Sequence, residues 1–461
     1  MREYENYTLA PVPWIEKMPL HWKLVRGKHL YQKMQRPTSN IDEVVTCFRD
    51  GTVTLRKNRR ITGFTESLKE IGYQGIKKGD LVIHVMDAFA GSIGVSDSDG
   101  KGTPVYNVCQ AKGDSNNQYY TLLLREMART GFIQSLYRVI RERSSDFRFE
   151  VFAAQFYPVP PRPEQDQIVR FLDWKVSSIN KLININQKEI AALGELKQNI
   201  ITKCITTGLN RNVEMKHSGN EWINYIPWHW TTVQLRRIYT VILGKMLSPA
   251  PINSQDSYEE YVCAKDVHFD GVDLSSLKKM WFSQTEKKQY EIRKGDLLIV
   301  EGGAGAGNAA IVYDLCGKSI YIQNSIHIVR PKSNQVMNKF LCYWISSLVK
   351  RGYMKNICSV ATIPHYTKDK VLSTIMPLPP IKEQRDIVDY LDMKCEAIDN
   401  IIAKKYKQIQ LLQELKTRLT SDVVTGKIDV CGIEIPEYEF SDEELDIEDS
   451  GKEDVEEQEE I

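Results

Sequence analysis

Residues 161–173 read PRPEQDQIVRFLD, and this stretch decides the fold because a long helical segment begins here. From Glu164 onward the segment contains no proline up to residue 208, and its first glycine is Gly194. Apolar side chains recur at spacings of three, four and seven residues or their sums, which predicts one apolar stripe along a helix. The stripe comprises Ile168, Leu172, Ile179, Leu182, Leu193, Leu196 and Ile200. A helix from Glu164 to Lys203 would be about 60 Å long, and it needs a partner because such a helix is marginal alone in water.

The same pattern returns in residues 380–392, which read PIKEQRDIVDYLD, 219 positions later. The second stripe comprises Ile387, Leu391, Ile398, Ile401, Leu412, Leu415 and Leu419. Two helices of matched length and matched stripe pack most simply along each other as a coiled coil. The alternative is two unrelated core helices, but the repeat includes the helix start as well as the stripe.

Length and composition bound the class of protein. A chain of 461 residues with 42% apolar side chains suggests two to four domains with real cores. No apolar run has the length of a membrane span, and the first residues do not resemble a signal peptide. The nine cysteines contain no Cys-x-x-Cys pair, which argues against a disulfide framework or a zinc site. We therefore expect a cytoplasmic protein without membrane association and without a bound metal.

The net charge of +1 conceals an asymmetry between the body and the end of the chain. Residues 437–461 contain 14 acidic residues and one lysine, a net charge of −13, so the rest of the chain carries +14. A basic body favours a polyanionic partner such as nucleic acid. We expect residues 431–461 to be a disordered acidic tail, which acts either as a solubility tail or as a screen for the basic surface.

Paired motifs outside the helices indicate that the whole chain is duplicated. Residues 14–22 and 222–230 each begin and end with tryptophan and contain a proline followed by a histidine, which we interpret as packing of an entry loop. Residues 77–83 and 293–299 each predict a turn that leads into a buried strand. Residues 44–55 predict a hairpin, and residues 116–141 and 337–355 predict helices.

The predicted fold class is therefore α+β, with two tandem globular domains and two long helices. The predicted segments are a first domain over 1–160, a first long helix over 161–212, a second domain over 213–378, a second long helix over 379–430 and the tail over 431–461.

The two copies share their framework and diverge inside it, where basic residues are interleaved with polar and aromatic ones. Arginine and lysine neutralise phosphates, and arginine reaches base edges in the major groove. The candidate DNA contacts are Arg56, Lys57, Arg59, Arg60, Arg148, His365, Tyr366 and Lys368. The alternative for each single residue is a solvated surface charge.

The sequence contains only incomplete matches to enzyme motifs. Gly317-Lys318-Ser319 resembles the end of a phosphate-binding loop, but Val312 stands where that loop requires glycine. Gly305 and Gly307 follow a strand as in a dinucleotide loop, yet another strand is predicted after them. The sequence contains no Asn-Pro-Pro-aromatic, His-x-x-x-His or Gly-x-Ser-x-Gly motif. We therefore predict no catalytic residue in this chain.

The repeated order of these motifs resembles the DNA-specificity subunit of type I restriction–modification systems. The resemblance is carried by the two Pro…Glu-Gln helix starts, the long helices, the paired tryptophan motifs, the repeated Lys-Gly-Asp-Leu and residues 86–94, MDAFAGSIG. It covers about residues 10–430. The first helix start is one residue shorter than the second, and the acidic tail lies outside the family pattern.

The resemblance implies a non-catalytic subunit that recognises double-stranded DNA. Each globular part would be a target-recognition domain for one half of a bipartite, asymmetric target, and the helices would form an antiparallel coiled coil that sets the spacing. Two methyltransferase subunits would dock on the helices, and restriction subunits would join through them. S-adenosylmethionine, ATP and Mg²⁺ would belong to those partners, with no cofactor in this chain. The alternatives are a self-sufficient nucleic-acid-modifying enzyme with an unrecognised active site and a coiled-coil scaffold without DNA binding.

Overall fold

The computed structural model describes residues 2–59, 71–136, 146–303, 305–357 and 364–438. The chain forms two compact units, Met1–Asn186 with Tyr406–Ile461, and Gln187–Lys405. Each unit combines a globular α+β part with parts of both long helices. The predicted α+β class is confirmed. The predicted segment boundaries follow the order of the sequence, whereas the compact units draw on both long helices.

The first unit is centred on a four-stranded antiparallel sheet. The strands of the whole unit are β1 (Tyr7–Val12), β2 (Ile15–Pro19), β3 (Lys23–Arg26), β4 (Tyr31–Lys33), β5 (Val45–Cys47), β6 (Val53–Leu55), β7 (Gln74–Ile76), β8 (Leu81–His84), β9 (Ile93–Val95), β10 (Gly100–Gly102), β11 (Tyr106–Ala111) and β12 (Phe156–Val159). Its helices are α1 (Gly27–Leu30), α2 (Asn117–Arg129), α3 (Phe132–Ser135), α4 (Phe149–Ala154) and the beginning of α5 (Arg162–Thr207). The sheet order is β4-β11-β8-β9, and the predicted hairpin is confirmed as β5 paired with β6.

The second unit repeats this sheet. Its strands are β13 (Met215–His217), β14 (Tyr225–Pro227), β15 (Thr231–Gln234), β16 (Tyr239–Leu243), β17 (Ser257–Val262), β18 (Val267–His268), β19 (Gly271–Val272), β20 (Lys278–Phe282), β21 (Leu297–Val300), β22 (Ala309–Ile311), β23 (Tyr321–Ile322), β24 (Ile326–Pro331) and β25 (Ile375–Leu378). Its helices are α6 (Leu235–Ile238), α7 (Gln284–Tyr290), α8 (Asn338–Lys350), α9 (Tyr353–Ile357), α10 (Lys368–Ser373) and the beginning of α11 (Ile381–Val424). The order β16-β24-β21-β22 matches the first sheet. In a further sheet, β20-β17-β23, strand β17 pairs antiparallel with β20 and parallel with β23. The first unit has a similar arrangement, because β5 pairs antiparallel with β6 and the preceding Val44 bridges parallel to Lys101 of β10.

The repeated Lys-Gly-Asp-Leu marks the turn before the central strand of each sheet. The glycine adopts a left-handed conformation, with φ of 92° at Gly79 and 89° at Gly295, which explains why glycine stands at both positions. The side chain of Asp80 accepts from the backbone of Lys77 at 2.8 Å, and that of Asp296 accepts from Arg293 at 2.7 Å. The strands that follow, β8 and β21, are almost fully buried, as the sequence predicts.

Left-handed glycines also divide the predicted helical regions. Residues 116–141 form α2 and α3, separated near Gly131 (φ 75°), and residues 137–141 lie outside the described residues. Residues 337–355 form α8 and α9, separated near Gly352 (φ 84°). Both helical predictions are confirmed where the structure describes them, although each is two helices instead of one.

The structure confirms the two long helices that the sequence predicts. Helix α5 has 46 residues and α11 has 44. In the second unit Lys197 lies 2.7 Å from Asp399, and Glu189 pairs with Lys405. Because the residue numbers in α11 rise as those in α5 fall, the two helices run antiparallel in this unit. Residues of both helices share the hydrophobic cluster of this unit, which comprises among others Ile201, Ile205, Ile387, Leu391 and Trp344.

The predicted contact stripe is buried at some positions and exposed at others. The buried members are Ile168, Leu172, Ile179, Ile387, Leu391, Ile398 and Leu419, and the half-buried ones are Leu193, Ile200 and Leu412. Leu182, Leu196, Ile401 and Leu415 are instead 49%, 49%, 44% and 50% exposed, which a fully buried stripe does not predict.

The rotation of the helix explains these errors. Counted from Ile168 at about 100° per residue, Leu196 lies about 80° to one side of the starting direction and Ile201 about 60° to the other. Ile201 is the buried one, with 3% exposure. The buried side therefore drifts around α5, and a stripe extrapolated from its first turns loses the correct phase.

No helix among the described residues is long and apolar enough to cross a membrane. Residues 439–461, the greater part of the predicted acidic tail, lie outside the described residues.

Candidate nucleic-acid interface

A hydrogen-bonded glutamate joins the entry loop of each domain to the start of its long helix. The buried Glu164 carboxylate accepts from Trp22 Nε1 at 2.9 Å and from Tyr4 Oη at 2.5 Å, and it lies 2.8 Å from His21 Nε2. In the second unit Glu383 accepts from Trp230 Nε1 at 3.0 Å and lies 2.7 Å from His229 Nε2. The paired tryptophan motifs therefore do more than pack, which the sequence analysis missed because the partners are distant in the chain.

The adjacent glutamine holds the next element of each domain. Gln165 Oε1 accepts from the backbone of Asn116, just before α2, at 2.9 Å. Gln384 Oε1 accepts from the backbone of Met337, just before α8, at 3.0 Å. Because both residues of each Glu-Gln pair are occupied in this way, the repeated motif orients the globular part on its helix and leaves recognition to other residues.

Three loops lie together at the end of the central strand of each sheet, and the same two backbone hydrogen bonds join them in both units. In the first unit Val85 donates to Val105 at 2.9 Å, and Phe147 donates to Val85 at 3.1 Å. In the second, Glu301 donates to Ser325 at 2.8 Å, and Tyr366 donates to Glu301 at 2.6 Å. We define the first loop cluster as residues 85–87, 103–105 and 146–148, and the second loop cluster as residues 301–303, 323–325 and 365–368.

A buried polar side chain supports the third loop in both clusters. Asn107 Nδ2 donates to the carbonyl of Phe147 at 2.8 Å, and His327 Nε2 lies 2.9 Å from the carbonyl of Tyr366. Burial lowers the pKa of His327 to about 4, so this imidazole is neutral near pH 7. A neutral imidazole that faces a carbonyl must donate from Nε2, which fixes its tautomer.

Tyr366 is not a DNA contact, and this prediction is wrong. Its side chain is fully buried, like Phe147 at the equivalent position, and its hydroxyl lies 2.7 Å from Thr374 Oγ1. The ring fills the core beneath the second loop cluster, so the aromatic residue serves as an anchor for the loop.

The structure places three other candidates in the loop clusters. Arg148 is exposed in the first cluster, with Nε 2.7 Å from Asp146 Oδ1. His365 and Lys368 are exposed in the second cluster, on the segment equivalent to residues 146–148. Phosphates or base edges in contact with either cluster would be within reach of these side chains.

The basic run lies on and after the β5–β6 hairpin and is engaged with acidic side chains of its own unit. Lys57 Nζ lies 2.6 Å from Glu43, and Arg59 pairs with Asp50 while its guanidinium lies 4.7 Å from the Phe48 ring centre. Arg56 begins the short 3₁₀ helix Arg56–Asn58. Arg60 lies outside the described residues.

A residue that the sequence analysis missed connects this hairpin to the first loop cluster. Arg49, at the hairpin turn, has a side chain that is 69% exposed, and its Nη2 lies 3.1 Å from Asp87 Oδ1. The guanidinium of Arg125 donates to the carbonyls of Arg49 and Gly91, at 3.2 and 2.7 Å. The hairpin turn is therefore fixed beside the first loop cluster, and Arg49 adds a second exposed guanidinium to that of Arg148.

The second loop cluster also contains amide side chains that the sequence analysis missed. Gln323 and Asn324 form the turn between β23 and β24, and the carboxyl group of Glu301 lies in the same cluster with its pKa raised by burial. Turn residues of this kind give no functional signal in a single sequence, because asparagine is common in turns for conformational reasons. Within the described ranges no group of three or more His, Cys, Asp or Glu residues could hold a metal ion.

Comparisons with known proteins were made for the sequence and for the fold. The family model described as "Type I restriction modification DNA specificity domain" matches residues 173–411. A putative type I restriction enzyme MjaX specificity subunit from Methanocaldococcus jannaschii is 26% identical over 276 residues, which cover 59% of each chain. The alignment thus spans about three fifths of the length of that relative.

Two solved structures share the fold. One, from a study titled "Structural basis underlying complex assembly and conformational transition of the type I R-M system", superposes with a TM-score of 0.69 at 17% identity and covers 89% of this chain and 99% of the other. The HsdS subunit from Thermoanaerobacter tengcongensis superposes with a TM-score of 0.51 at 16% identity and covers 89% and 98%.

Proposed function

We propose that this chain, which belongs to the type I restriction–modification DNA specificity family, is a subunit that recognises DNA sequence for partner enzymes. The observation that carries this proposal is the pair of loop clusters. Their backbones are held by the same hydrogen bonds, while their exposed side chains differ. Two copies of one framework with different side chains could each recognise a different half-site, because direct readout depends on side-chain donors and acceptors.

The target is then bipartite and asymmetric. Each unit reads one half-site in double-stranded DNA, and the long helices determine how many base pairs between the half-sites are left unread. The basic charge of the body, +14 without residues 437–461, supplies phosphate contacts that are independent of sequence. Binding should therefore weaken steeply with salt.

The chemistry belongs to partner subunits, and the chain itself is not an enzyme. Half-exposed apolar side chains on the long helices support docking of two methyltransferase subunits: in the first unit Leu182, Ile185, Leu411 and Leu415, and in the second Leu196 and Ile401. Restriction subunits join through the methyltransferases. S-adenosylmethionine, ATP and Mg²⁺ are bound by those partners.

Mapping of methylated adenines tests the proposal. The full chain is produced together with its methyltransferase partner in a host without adenine methylation, and N6-methyladenine is located along the genome. The expected result is one bipartite motif with a fixed spacer, and no methylation when the chain is produced alone. Methylation by the isolated chain would favour a self-sufficient enzyme. Methylation that does not depend on the chain would favour a coiled-coil scaffold without DNA binding.

A further inference from the structure

We propose that Asn324 reads an A·T base pair in the second half-site, with Gln323 and Ser325 as positioning residues. This inference rests on the proposed DNA recognition and identifies the base-reading element of one loop cluster. No residue of this turn was a candidate in the sequence analysis.

The backbone of the turn is fixed from several sides. Gln323 donates to the carbonyl of Val262 at 3.1 Å, and Asn324 donates to that of Lys245 at 2.8 Å. Ser325 Oγ accepts from the backbone of Ala264 at 3.1 Å, and its carbonyl accepts from Glu301. A side chain on such a turn is presented in a defined place, which direct readout requires.

The two amides are also fixed relative to each other. Gln323 Oε1 accepts from Ser325 Oγ at 2.5 Å and from its backbone at 3.2 Å, and Gln323 Nε2 donates to Asn324 Oδ1 at 2.6 Å. Among the described residues, the Nδ2 group of the half-buried Asn324 has no hydrogen-bond partner. Oδ1 retains a second lone pair. Asn324 therefore offers one donor and one acceptor, side by side.

This arrangement matches adenine. Adenine presents the N7 acceptor and the N6 donor in the major groove, and asparagine pairs with both. Guanine presents two acceptors there, and cytosine presents a donor alone, so neither base satisfies both groups of the amide.

The first loop cluster cannot make the same contact. Thr103, Pro104 and Val105 occupy the equivalent turn, with Val105 accepting from Val85 as Ser325 does from Glu301. Pro104 stands at the position of Asn324 and carries neither a side-chain amide nor a backbone N–H. Substitution at these equivalent positions should consequently affect recognition in one unit alone.

The test is selection from a randomised duplex library by the full chain in complex with its methyltransferase partner. Compared are the wild type, Asn324→Ala, Asn324→Asp and Pro104→Ala as the matched control. We expect Asn324→Ala to reduce the preference at one A·T pair of one half-site by roughly tenfold or more, with the other half-site and the spacer unchanged. Asn324→Asp should shift that position toward C·G, because a carboxylate accepts from cytosine N4. Pro104→Ala should leave that position unchanged.

The outcomes separate the two levels of the proposal. If the wild type selects no bipartite motif, the proposed function fails. If the wild type selects one and both Asn324 variants select the same motif, the assignment of Asn324 is overturned. Thermal melting of each variant identifies a folding defect, and the carboxylate variant, which keeps the size of the side chain, still decides the assignment if the alanine variant is unstable.

Discussion

The two loop clusters have the same backbone and different side chains. The third loop is held by Asn107 in the first unit and by His327 in the second, above a buried Phe147 or Tyr366. The other loop positions instead change in kind, from the exposed Met86 and Pro104 to the half-buried Gly302 and Asn324. The difference teaches that one backbone geometry can carry different side chains when the core beneath the loops holds the backbone in place.

The largest expected effect comes from the glutamates that join each globular part to its helix. Glu164→Ala leaves Trp22 Nε1 without its acceptor in a buried site, so we expect the first unit to lose about 3 kcal/mol of stability. Glu383→Ala should cost the second unit less, because Glu383 accepts from fewer groups and its side chain is 38% exposed. Urea unfolding followed by hydrogen exchange in each unit measures both losses. Equal losses would contradict the predicted asymmetry.

The next effect distinguishes Asn107 from His327, the residues that support the third loop, by the pH dependence of the stability of each unit. The folded pKa of His327, about 4, lies below its usual value of 6.5. The unfolded chain therefore binds a proton between these values that the folded unit does not, so stability is complete above about pH 6.5 and declines as the pH falls toward 4. The loss between pH 7 and pH 5 should be about 2 kcal/mol.

His327→Asn copies the support of the first unit and should remove that loss from the second. Unfolding of the second unit at pH 7 and pH 5 measures the change, with Asn107→Ala as a control that does not alter titration. His84 in the first unit, whose pKa is also lowered by burial, should keep its own share of the acid sensitivity. An unchanged pH dependence in His327→Asn would show that this imidazole is not the titrating group.

A smaller effect separates the clusters by half-site. Arg148→Ala should weaken recognition of one half-site by about 1 kcal/mol, because the guanidinium is already shared with Asp146. Lys368→Ala is the matched change in the second unit and should alter the other half-site. Competition binding with duplexes altered in one half at a time measures both. The same half-site responding to both variants would contradict the assignment of one half-site to each unit.

The smallest effect concerns the basic run. Lys57→Ala should weaken binding to all sequences alike, by less than about 1 kcal/mol, and reduce the slope of log affinity against log salt by up to about 1. Lys57 is paired with Glu43, so part of its charge is already compensated. Affinity measured across a salt series, with Lys17→Ala as a control next to Glu3, tests this. A change confined to one sequence would indicate a base contact instead.

Patterns local to the chain predicted much of the fold. The proline-free run after Glu164, its repeat after Glu383 and the Gly-Asp turns before β8 and β21 each have their cause in neighbouring residues. The positions of Leu196 and Leu415 on the helices could not be predicted as well, since a small error in phase accumulates with each turn.

Less of the candidate site could be predicted. Arg148, His365 and Lys368 stood out by charge or chemistry, and the structure places them in the loop clusters. The burial of Tyr366 depends on a sheet formed by distant segments, and the joining role of Glu164 depends on Trp22, 142 positions away. Asn324 lies in a short turn whose functional neighbours, Glu301 and His365, come from other parts of the chain. Such relations exist in space and leave no local pattern.

The most direct test compares methylation maps for three forms of the full chain with its methyltransferase partner: the wild type, Arg148→Ala and Asn324→Ala. We expect one bipartite motif in the wild type, a change in one half in the first variant and a change in the opposite half in the second, with the spacer constant throughout. Changes in the same half, or in both halves at once while each variant remains folded, would contradict the division of recognition between the two units.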